Sequence, residues 1–373
     1  MIRAHKIRLN PTTEQDEYLR RACGVSRFVY NWALAEWQAQ YDLGGNPNAA
    51  ELKRYFNAIK RDEFPFVMDV LRDAANDGFE KLGKAFGNFF ASVTGKRNAP
   101  KGSPKVGYPR FKSKKRSKMS FAMANDKFRV GGHALYVPKL GMVNMAEALR
   151  FNGKIKSGVV SCVAGKWYIS ITVEVEKPAP VEFTKESVGI DLGLKTLATL
   201  SDGVEFENQK LLRSELKRLQ SLNRGLARKQ RGSNRWWKQK RKLAVFHQRI
   251  ANRRADVMHK MTTEIASAYR LVGMEDLHVR GMVRNHRLAL SISDAALGEI
   301  GRQLQYKKAW FGGTLQKVGR FYASSKTCND CGYINKALVL SDRKWTCLGC
   351  GVINQRDWNA AKNIEQEALR LFA

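Results

Sequence analysis

The chain has 373 residues, enough for two to three domains of about 150 residues each. Its 66 Lys and Arg outnumber 34 Asp and Glu, and the net charge of +32 favours nucleic acid as partner over a merely soluble basic protein. The ordinary hydrophobic fraction of 43% excludes wholesale disorder, and no apolar run approaches the roughly 18–20 residues of a membrane span. The N-terminus has no apolar signal core, so we expect a cytoplasmic protein without membrane contact.

The N-terminal half is predicted to be a strand-rich domain interrupted by helices. Residues 1–10 predict a strand, and apolar residues at three-to-four spacing predict a helical region over 11–93. After a loop at 94–118, β-branched and aromatic residues predict further strands at 119–124, 127–130, 134–137, 159–163 and 166–175. Residues 1–10 and 94–180 are therefore interpreted as a small β-barrel or sandwich that ends in a linker at 176–180.

The loop at 94–118 is strongly basic. Ten Lys and Arg lie there among Gly and Pro, with no acidic residue. A solvated linker is the alternative, but the overall charge favours a loop on a phosphate backbone. The candidate contacts are Lys112, Lys114, Lys115 and Arg116.

The C-terminal half is predicted to be α/β. Strands are expected at 187–191, 196–200, 271–276 and 320–323, with a long basic helical region at 208–270 and a helix at 291–312. Between 210 and 254 the only acidic residue is Glu215. Two tryptophans in this basic run either pack internally or stack on bases beside a phosphate track. The candidate nucleic-acid contacts here are Arg228, Lys229, Arg235, Trp236, Trp237, Lys240 and Arg241.

Four of the six cysteines form two CxxC pairs, Cys328 with Cys331 and Cys347 with Cys350. The CxxC-x15-CxxC spacing is typical of a four-cysteine zinc site, with two disulfides, a redox pair or an iron–sulfur site as alternatives. Four thiolates close the metal's coordination shell, so a zinc ion held here would be structural. Arg343, between the pairs, is a further candidate nucleic-acid contact.

Three acidic residues occupy positions where acids are unexpected. Asp191 and Glu275 each end an apolar strand, and Asp357 begins a helix. A helix cap or local ion pair explains one such acid, but three together in a very basic chain favour a two-ion Mg²⁺ site. Phosphodiester hydrolysis is the reaction such a site would perform.

At these residues the chain resembles the TnpB family encoded by insertion sequences, and it is also similar to the smaller type V CRISPR nucleases. The resemblance covers about residues 185–366, and weaker matches in the N-terminal half include Arg27-Phe-Val-Tyr-Asn31. The matching blocks are Gly189-Ile-Asp-Leu-Gly193, Met274-Glu-Asp-Leu277, Gln305-Tyr-Lys307, Ser324-Ser-Lys-Thr-Cys328, Leu340-Ser-Asp-Arg343 and Arg356-Asp-Trp-Asn-Ala-Ala-Lys-Asn-Ile364.

The resemblance implies a RuvC-like, RNase H-type nuclease domain at 181–323 and 356–373, with a zinc ribbon inserted at 324–355. Asp191, Glu275 and Asp357 would be its catalytic, Mg²⁺-binding carboxylates. Residues 1–10 and 94–180 would form the wedge domain, and 11–93 a helical recognition lobe. The implied partners are a guide RNA and target DNA, both double- and single-stranded. The resemblance also implies that the protein reads a short motif beside the target. Asn76, Lys81 and Asn125 are candidates for reading that motif.

One residue departs from the family pattern. Members often carry an acid two residues before the third catalytic Asp, where this chain has Gln355. Because Asp357 remains, we expect activity to survive. A nuclease-silent, RNA-guided repressor and a transposase acting directly in strand transfer are the alternative functions, and a monomer is favoured over a dimer.

Overall fold

The computed structural model describes residues 1–96, 103–177, 181–339 and 341–373. Contacts divide the chain into two compact units, Met1–Glu176 and Lys177–Ala373. The division falls at the predicted linker, of which residues 178–180 lie outside the described residues. Part of the basic loop, residues 97–102, lies outside them as well. None of the described helices is long and apolar enough to cross a membrane.

The first unit consists of one antiparallel sheet and the helices packed on it. The strands are β1 (Ile2–Asn10), β2 (Met119–Ala124), β3 (Arg129–Gly131), β4 (Ala134–Val137), β5 (Gly141–Met145), β6 (Lys154–Val163) and β7 (Lys166–Glu174), and the helices are α1 (Thr13–Asp42), α2 (Ala49–Ile59) and α3 (Arg72–Val93). The seven strands follow the order β2-β6-β7-β1-β5-β4-β3. Closure of this sheet into a barrel remains a prediction.

Helix α1 begins at a capping box. The Thr12 hydroxyl accepts a hydrogen bond from the Gln15 backbone N–H, and the Gln15 side chain accepts one from the Thr12 N–H. Helix α3 lies directly against α1 at Gly78, where an added Cβ would come within 2.9 Å of the Ser26 carbonyl oxygen and the Tyr30 nitrogen. Only glycine permits this approach, so the predicted helical region has a fixed internal arrangement.

The sheet and the helices of the first unit share one hydrophobic core. Ile7 and Leu9 on β1 belong to the same buried cluster as Leu19 on α1 and Phe79 on α3. The sequence prediction divided these residues between a barrel and a helical lobe. That division remains a prediction, because both segments lie within one compact unit.

The second unit is a mixed sheet with helices and a small zinc-ribbon-like hairpin. Its strands are β8 (Lys185–Leu192), β9 (Thr196–Leu200), β10 (Glu205–Glu207), β11 (Tyr269–Glu275), β12 (Thr314–Val318), β13 (Lys344–Thr346) and β14 (Ile353–Gln355), and its helices are α4 (Leu211–Ser214), α5 (Leu216–Ala227), α6 (Asn234–Ala268), α7 (Val279–Met282), α8 (Ala289–Ala295), α9 (Leu297–Phe311) and α10 (Arg356–Phe372). Five strands follow the order β10-β9-β8-β11-β12, in which β8, β11 and β12 are parallel.

Two neighbouring glycines bring α10 onto this sheet. Gly189 on β8 and Gly273 on β11 are register partners. A Cβ on Gly189 would lie 2.0 Å from the Ala361 carbonyl oxygen, and one on Gly273 would lie 2.6 Å from the Ala368 Cβ. The helix backbone therefore occupies the space that side chains would fill, which fixes the N-terminus of α10 relative to the strand ends.

Most predicted elements are confirmed, and two predictions need correction. The strand predicted at 320–323 is wrong, because Gly312 ends α9 in a left-handed conformation (φ 84°) and β12 follows at once, leaving 320–323 as a turn. The helical region predicted at 208–270 is confirmed as three helices, and residues 228–233 separate α5 from α6, so that Leu219 on α5 packs against Phe246 and Ile250 on α6. The single helix predicted at 291–312 is wrong, because Ala296 has a left-handed φ of 51° and separates α8 from α9. The short strands β5 and β10 were not predicted.

Candidate active site and zinc ribbon

The three predicted acids converge on one edge of the five-stranded sheet. Asp191 is the penultimate residue of β8, Glu275 is the last of β11, and Asp357 lies in the first turn of α10. Parallel strands end at the same edge of a sheet, and ligand sites in open α/β sheets lie outside those carboxyl ends. The sequence positions alone therefore bring Asp191 and Glu275 together, and the glycine-mediated contact of α10 brings Asp357 to them.

The electrostatics of Asp191 show that the three carboxylates interact. Burial, together with the negative charges of Glu275 and Asp357, raises the pKa of Asp191 to about 7, against the opposing effect of Arg356 and Arg343. A carboxylate in this position favours a neutralising proton or cation. The carboxylate oxygens of the three acids do not all lie within 4.8 Å of one another. Among the described residues, only the four cysteines form a group of possible metal ligands that meets this distance.

Each of the other two carboxylates has a partner from the ribbon segment. The Ser324 hydroxyl donates to Glu275 Oε1 at 2.5 Å. The Arg343 guanidinium donates to both oxygens of Asp357, at 3.1 and 3.2 Å. Asn363 of α10 donates to the Ser324 carbonyl at 2.7 Å, which ties this segment to the helix. The ribbon segment therefore orients two of the three acids.

Glu275 also borders open space. A cavity of about 420 Å³ lies beside it, and its other walls include His278, Arg302 and Lys317. The cavity is large enough for part of a nucleotide, and both acidic and basic side chains line it.

The four predicted zinc ligands form one cluster. Cys328 Sγ lies 3.7 Å from Cys350 Sγ, and Cys331 Sγ lies 3.5 Å from Cys347 Sγ. These separations exceed a disulfide bond of about 2.05 Å and match the roughly 3.8 Å expected between sulfurs 2.3 Å from a tetrahedral metal. The disulfide alternative is therefore wrong for the structure, which contains free cysteines here.

The two halves of the cluster repeat the same turn. The Cys328 N–H donates to the Tyr333 carbonyl, and the Cys347 N–H donates to the Val352 carbonyl, both at 2.8 Å. The glycine after each pair, Gly332 and Gly351, has a φ of 76°. This left-handed conformation favours glycine, which agrees with the sequence interpretation of each CxxC-Gly as a metal-binding knuckle.

Two of the predicted nucleic-acid contacts in the first unit have internal partners. Lys81 Nζ pairs with Asp77 at 2.5 Å and donates to the Ser120 carbonyl at 2.8 Å. Lys112 Nζ lies 3.4 Å from the centre of the Tyr30 ring, and burial lowers the pKa of Lys112 to about 8. These interactions hold β2 and the later part of the basic loop against the helices. The other candidates of this unit are exposed or half-buried: Asn76, Lys114, Lys115, Arg116 and Asn125.

The candidates in the second unit lie at the tip of the α5–α6 hairpin. Lys240 Nζ lies 4.8 Å from the Trp236 ring centre and 4.9 Å from that of Trp237, and the two rings are edge to face. Trp237 is 39% exposed. Lys229 donates to the Gly225 carbonyl. Of the charged candidates at the tip, Arg228, Arg235 and Arg241 are exposed.

Sequence reasoning missed the partners of the acids. Ser324 and Asn363 lie in recognisable sequence blocks, but nothing in those blocks indicates that Ser324 donates to Glu275 or that Asn363 donates to the Ser324 carbonyl. Arg343 was predicted to contact nucleic acid, which stays a prediction, and its ion pair with Asp357 was not foreseen.

Comparison with known proteins agrees with this architecture. Family models match residues 1–46 ("Helix-turn-helix domain"), 170–286 ("Probable transposase") and 298–364 ("Cas12f1-like, TNB domain"). A Streptomyces pristinaespiralis protein named "Putative RNA-guided DNA endonuclease" is 36% identical over 97% of this chain and 88% of its own length. The chain belongs to the TnpB family. The resemblance predicted from the sequence blocks is thereby confirmed.

Other similarities extend along the whole TnpB chain. InsQ of Escherichia coli (strain K12), whose name carries the same description, is 33% identical over 97% of this chain and 91% of its own length. The structure of a Cas12f1–sgRNA–target DNA complex superposes with a TM-score of 0.53 at 15% identity, covering 95% of this chain and 83% of that one. This structural likeness shows a shared fold.

Proposed function

We propose that this TnpB protein is an RNA-guided DNA endonuclease of an insertion sequence. The observation that carries the proposal is the convergence of Asp191, Glu275 and Asp357 on one sheet edge in a chain of net charge +32. Two relatives more than 30% identical over nearly the whole chain carry names that describe the same activity. Base pairing of a guide RNA with target DNA would determine which DNA sequence is cut. The protein itself would recognise the shape of the RNA–DNA duplex and a short motif beside the target.

The three carboxylates fit a site for Mg²⁺. Magnesium prefers oxygen ligands, and the mutual repulsion that raises the pKa of Asp191 is relieved by a divalent cation between the acids. Mg²⁺ when bound supplies the positive charge that activates the attacking water and stabilises the leaving oxygen of the phosphodiester. Asp191, Glu275 and Asp357 provide the oxygens, Ser324 orients Glu275, and Arg343 holds Asp357.

The four cysteines fit structural zinc. Their sulfur separations suit a closed tetrahedral shell, and no further donor is needed. The hairpin between them carries Arg343 on its way to β13. Zinc would therefore stabilise the segment that orients Asp357, at a distance from the chemistry itself.

The proposal assigns a different role to each of the two units. In the proposal, residues 181–323 and 356–373 are a RuvC-like nuclease domain with the zinc ribbon at 324–355 inserted, the sheet of the first unit is the wedge, and its helices are the recognition lobe. Lys114, Lys115 and Arg116 in the first unit and Arg228, Arg235 and Arg241 in the second remain the exposed candidates for phosphate contacts.

Cleavage by an Asp191→Ala variant tests the active-site assignment. The protein is purified with the RNA it binds, and a matching DNA duplex is added with Mg²⁺. We expect Asp191→Ala to bind the RNA as the wild type does and to cut nothing. Asp276→Asn is the matched control, since Asp276 sits next to Glu275 but pairs with Lys317 and Arg320. Normal cutting by Asp191→Ala would contradict the assignment.

Direct strand transfer is the second candidate, because one matching family model is described as a transposase. RNase H-like folds host both reactions, so fold alone does not separate them. Joined DNA ends formed by the purified protein would favour transfer, and linear cut products would favour hydrolysis.

A further inference from the structure

Phe321 is the most exposed large apolar side chain in the part of the chain that the structure describes. Its exposure is 95%, in the turn that follows β12. Singly exposed hydrophobic residues are common on protein surfaces and need no explanation by themselves. Phe321 differs because the turn that carries it is held rigidly on both sides and adjoins the proposed active site.

The residues around Phe321 are fixed by named contacts. Arg320 donates to the Asp276 carbonyl and pairs with its carboxylate, both at 3.2 Å. The Tyr322 N–H donates to the Gly319 carbonyl at 3.0 Å, and the Tyr322 ring packs on the small core formed by β12 and α10. The turn therefore cannot swing Phe321 inward without breaking these contacts, and the ring stays in solvent.

The turn ends on the active site. Ser324, three residues beyond Phe321, donates to Glu275, and Asp276 is the residue after Glu275. Three residues span at most roughly 10 Å. Phe321 therefore lies within about 10 Å, measured along the backbone, of the residue that hydrogen-bonds Glu275, so its ring is within reach of a base beside the phosphate that the acids would attack.

The surrounding charge favours a nucleic-acid strand. Lys317 and Arg320 both pair with the single carboxylate of Asp276, so the turn keeps an excess of positive charge beside the ring. An aromatic ring next to a basic surface is the usual arrangement for binding single-stranded nucleic acid, because every base offers a face for stacking.

We propose that Phe321 stacks on a base of the DNA strand being cut, close to the scissile phosphate, and so positions that strand. The proposal rests on the nuclease function proposed above. Phe321 takes no part in bond breaking. It would hold the strand in line with Asp191, Glu275 and Asp357 without preference for a particular base.

The experiment measures cleavage by the protein–RNA complex, with the DNA concentration varied. Stacking on an aromatic side chain is worth about 1–3 kcal/mol per base, so Phe321→Ala should raise the DNA concentration for half-maximal rate at least about fivefold. The rate at saturating DNA should change much less. Phe321→Trp should restore binding, whereas Phe321→Leu, which keeps an apolar group without a π face, should not.

A fluorescent base reports the stacking directly. The DNA carries 2-aminopurine at positions that flank the cut made by the wild type. Every protein used in this measurement also carries Asp191→Ala, so that the DNA stays uncut. We expect quenching at one position, lost with Phe321→Ala or Phe321→Leu and kept with Phe321→Trp. Leu369→Ala, a half-exposed apolar residue near the end of α10, is the control.

The outcomes separate this inference from the proposed function. If the wild-type complex cuts matching DNA and Phe321→Ala shows the same quenching and half-maximal concentration, the stacking role is wrong and the nuclease function stands. If the wild type cuts no DNA, the proposed function fails and this inference fails with it. Thermal stability should be unchanged in all Phe321 variants, because the side chain is 95% exposed.

Discussion

Replacing Asp191 with Asn is expected to stabilise the protein free of Mg²⁺ while it removes nuclease activity. Burial, with the charges of Glu275 and Asp357, raises the pKa of Asp191 from 3.8 to about 7. At neutral pH this carboxyl is ionised in the unfolded chain. In the folded chain its ionisation costs free energy, which lowers stability. Active-site groups often reduce stability in this way, and their neutral replacements restore it.

The magnitude follows from the shift. A difference of about three pH units corresponds to about 4 kcal/mol at about 1.36 kcal/mol per unit. Asp191 is partly exposed and two arginines lie nearby, so screening reduces the effect, and we expect about 2 kcal/mol. For a unit of this size each kcal/mol raises the melting temperature by about 2–4 °C, which gives roughly 4–8 °C.

The pH dependence has a definite sign. Because the folded pKa lies above the unfolded value, stability from this group is complete below pH 3.8 and is lost as pH rises through about 7. The melting temperatures of Asp191→Asn and wild type should therefore converge near pH 4, separate up to pH 7, and run parallel above it. Scanning calorimetry on zinc-loaded, Mg²⁺-free protein at several pH values measures this.

A matched substitution controls for the loss of a charge. Asp276 lies next to Glu275, but Lys317 and Arg320 hold its pKa below the usual range, so Asp276→Asn should not stabilise the protein. Adding Mg²⁺ should raise the melting temperature of the wild type and leave that of Asp191→Asn nearly unchanged. Equal or lower stability of Asp191→Asn at pH 8 would refute the electrostatic coupling of the three acids.

Three further predictions concern the ribbon, the sheet and the hairpin. Cys347→Ser should reduce bound zinc, measured by metal analysis, and should abolish cutting because the segment that carries Arg343 loses its anchor. Gly189→Ala should destabilise the second unit by several kcal/mol in urea unfolding, because its Cβ would overlap the backbone of α10, whereas Gly319→Ala, with open space around it, should be neutral. Arg235→Gln and Arg241→Gln should each lower the slope of log affinity for nucleic acid against log salt by about 1 if they contact phosphates.

Each of these three predictions has an outcome that would contradict it. Retained zinc and activity in Cys347→Ser would separate the ribbon from the active site. Equal stability of the two glycine variants would mean that α10 does not lie on the sheet as described. An unchanged salt slope in both arginine variants would move the phosphate contacts away from the tip of the hairpin.

The sequence was most informative where a local pattern dictates the structure. The buried strands ending in Asp191 and Glu275, the helix starting beside Asp357, and the two CxxC knuckles were all predicted, because periodicity and ligand spacing are local properties. The first strand and the helical region that starts at residue 11 were also predicted, because their apolar spacing is likewise local.

The sequence was least informative where long-range packing decides. Lys112 reads as part of a basic loop, yet its ammonium lies over the Tyr30 ring, a contact 82 residues away in the chain. The break between α5 and α6 brings Leu219 against Phe246, 27 residues further along the chain, and the helical spacing within α5 does not indicate that contact. The strand wrongly predicted at 320–323 fell on the turn that presents Phe321, whose aromatic and apolar neighbours imitate a strand pattern.

The most direct test of the central claim is to purify the protein with its native locus, sequence the bound RNA, and supply DNA that matches the variable end of that RNA. Our account predicts one discrete RNA species and Mg²⁺-dependent cutting of the matching DNA by the wild type, with no cutting by Asp191→Ala. Random cellular RNA, or cutting that ignores the match between RNA and DNA, would contradict guided cleavage and leave specificity to the protein's own side chains.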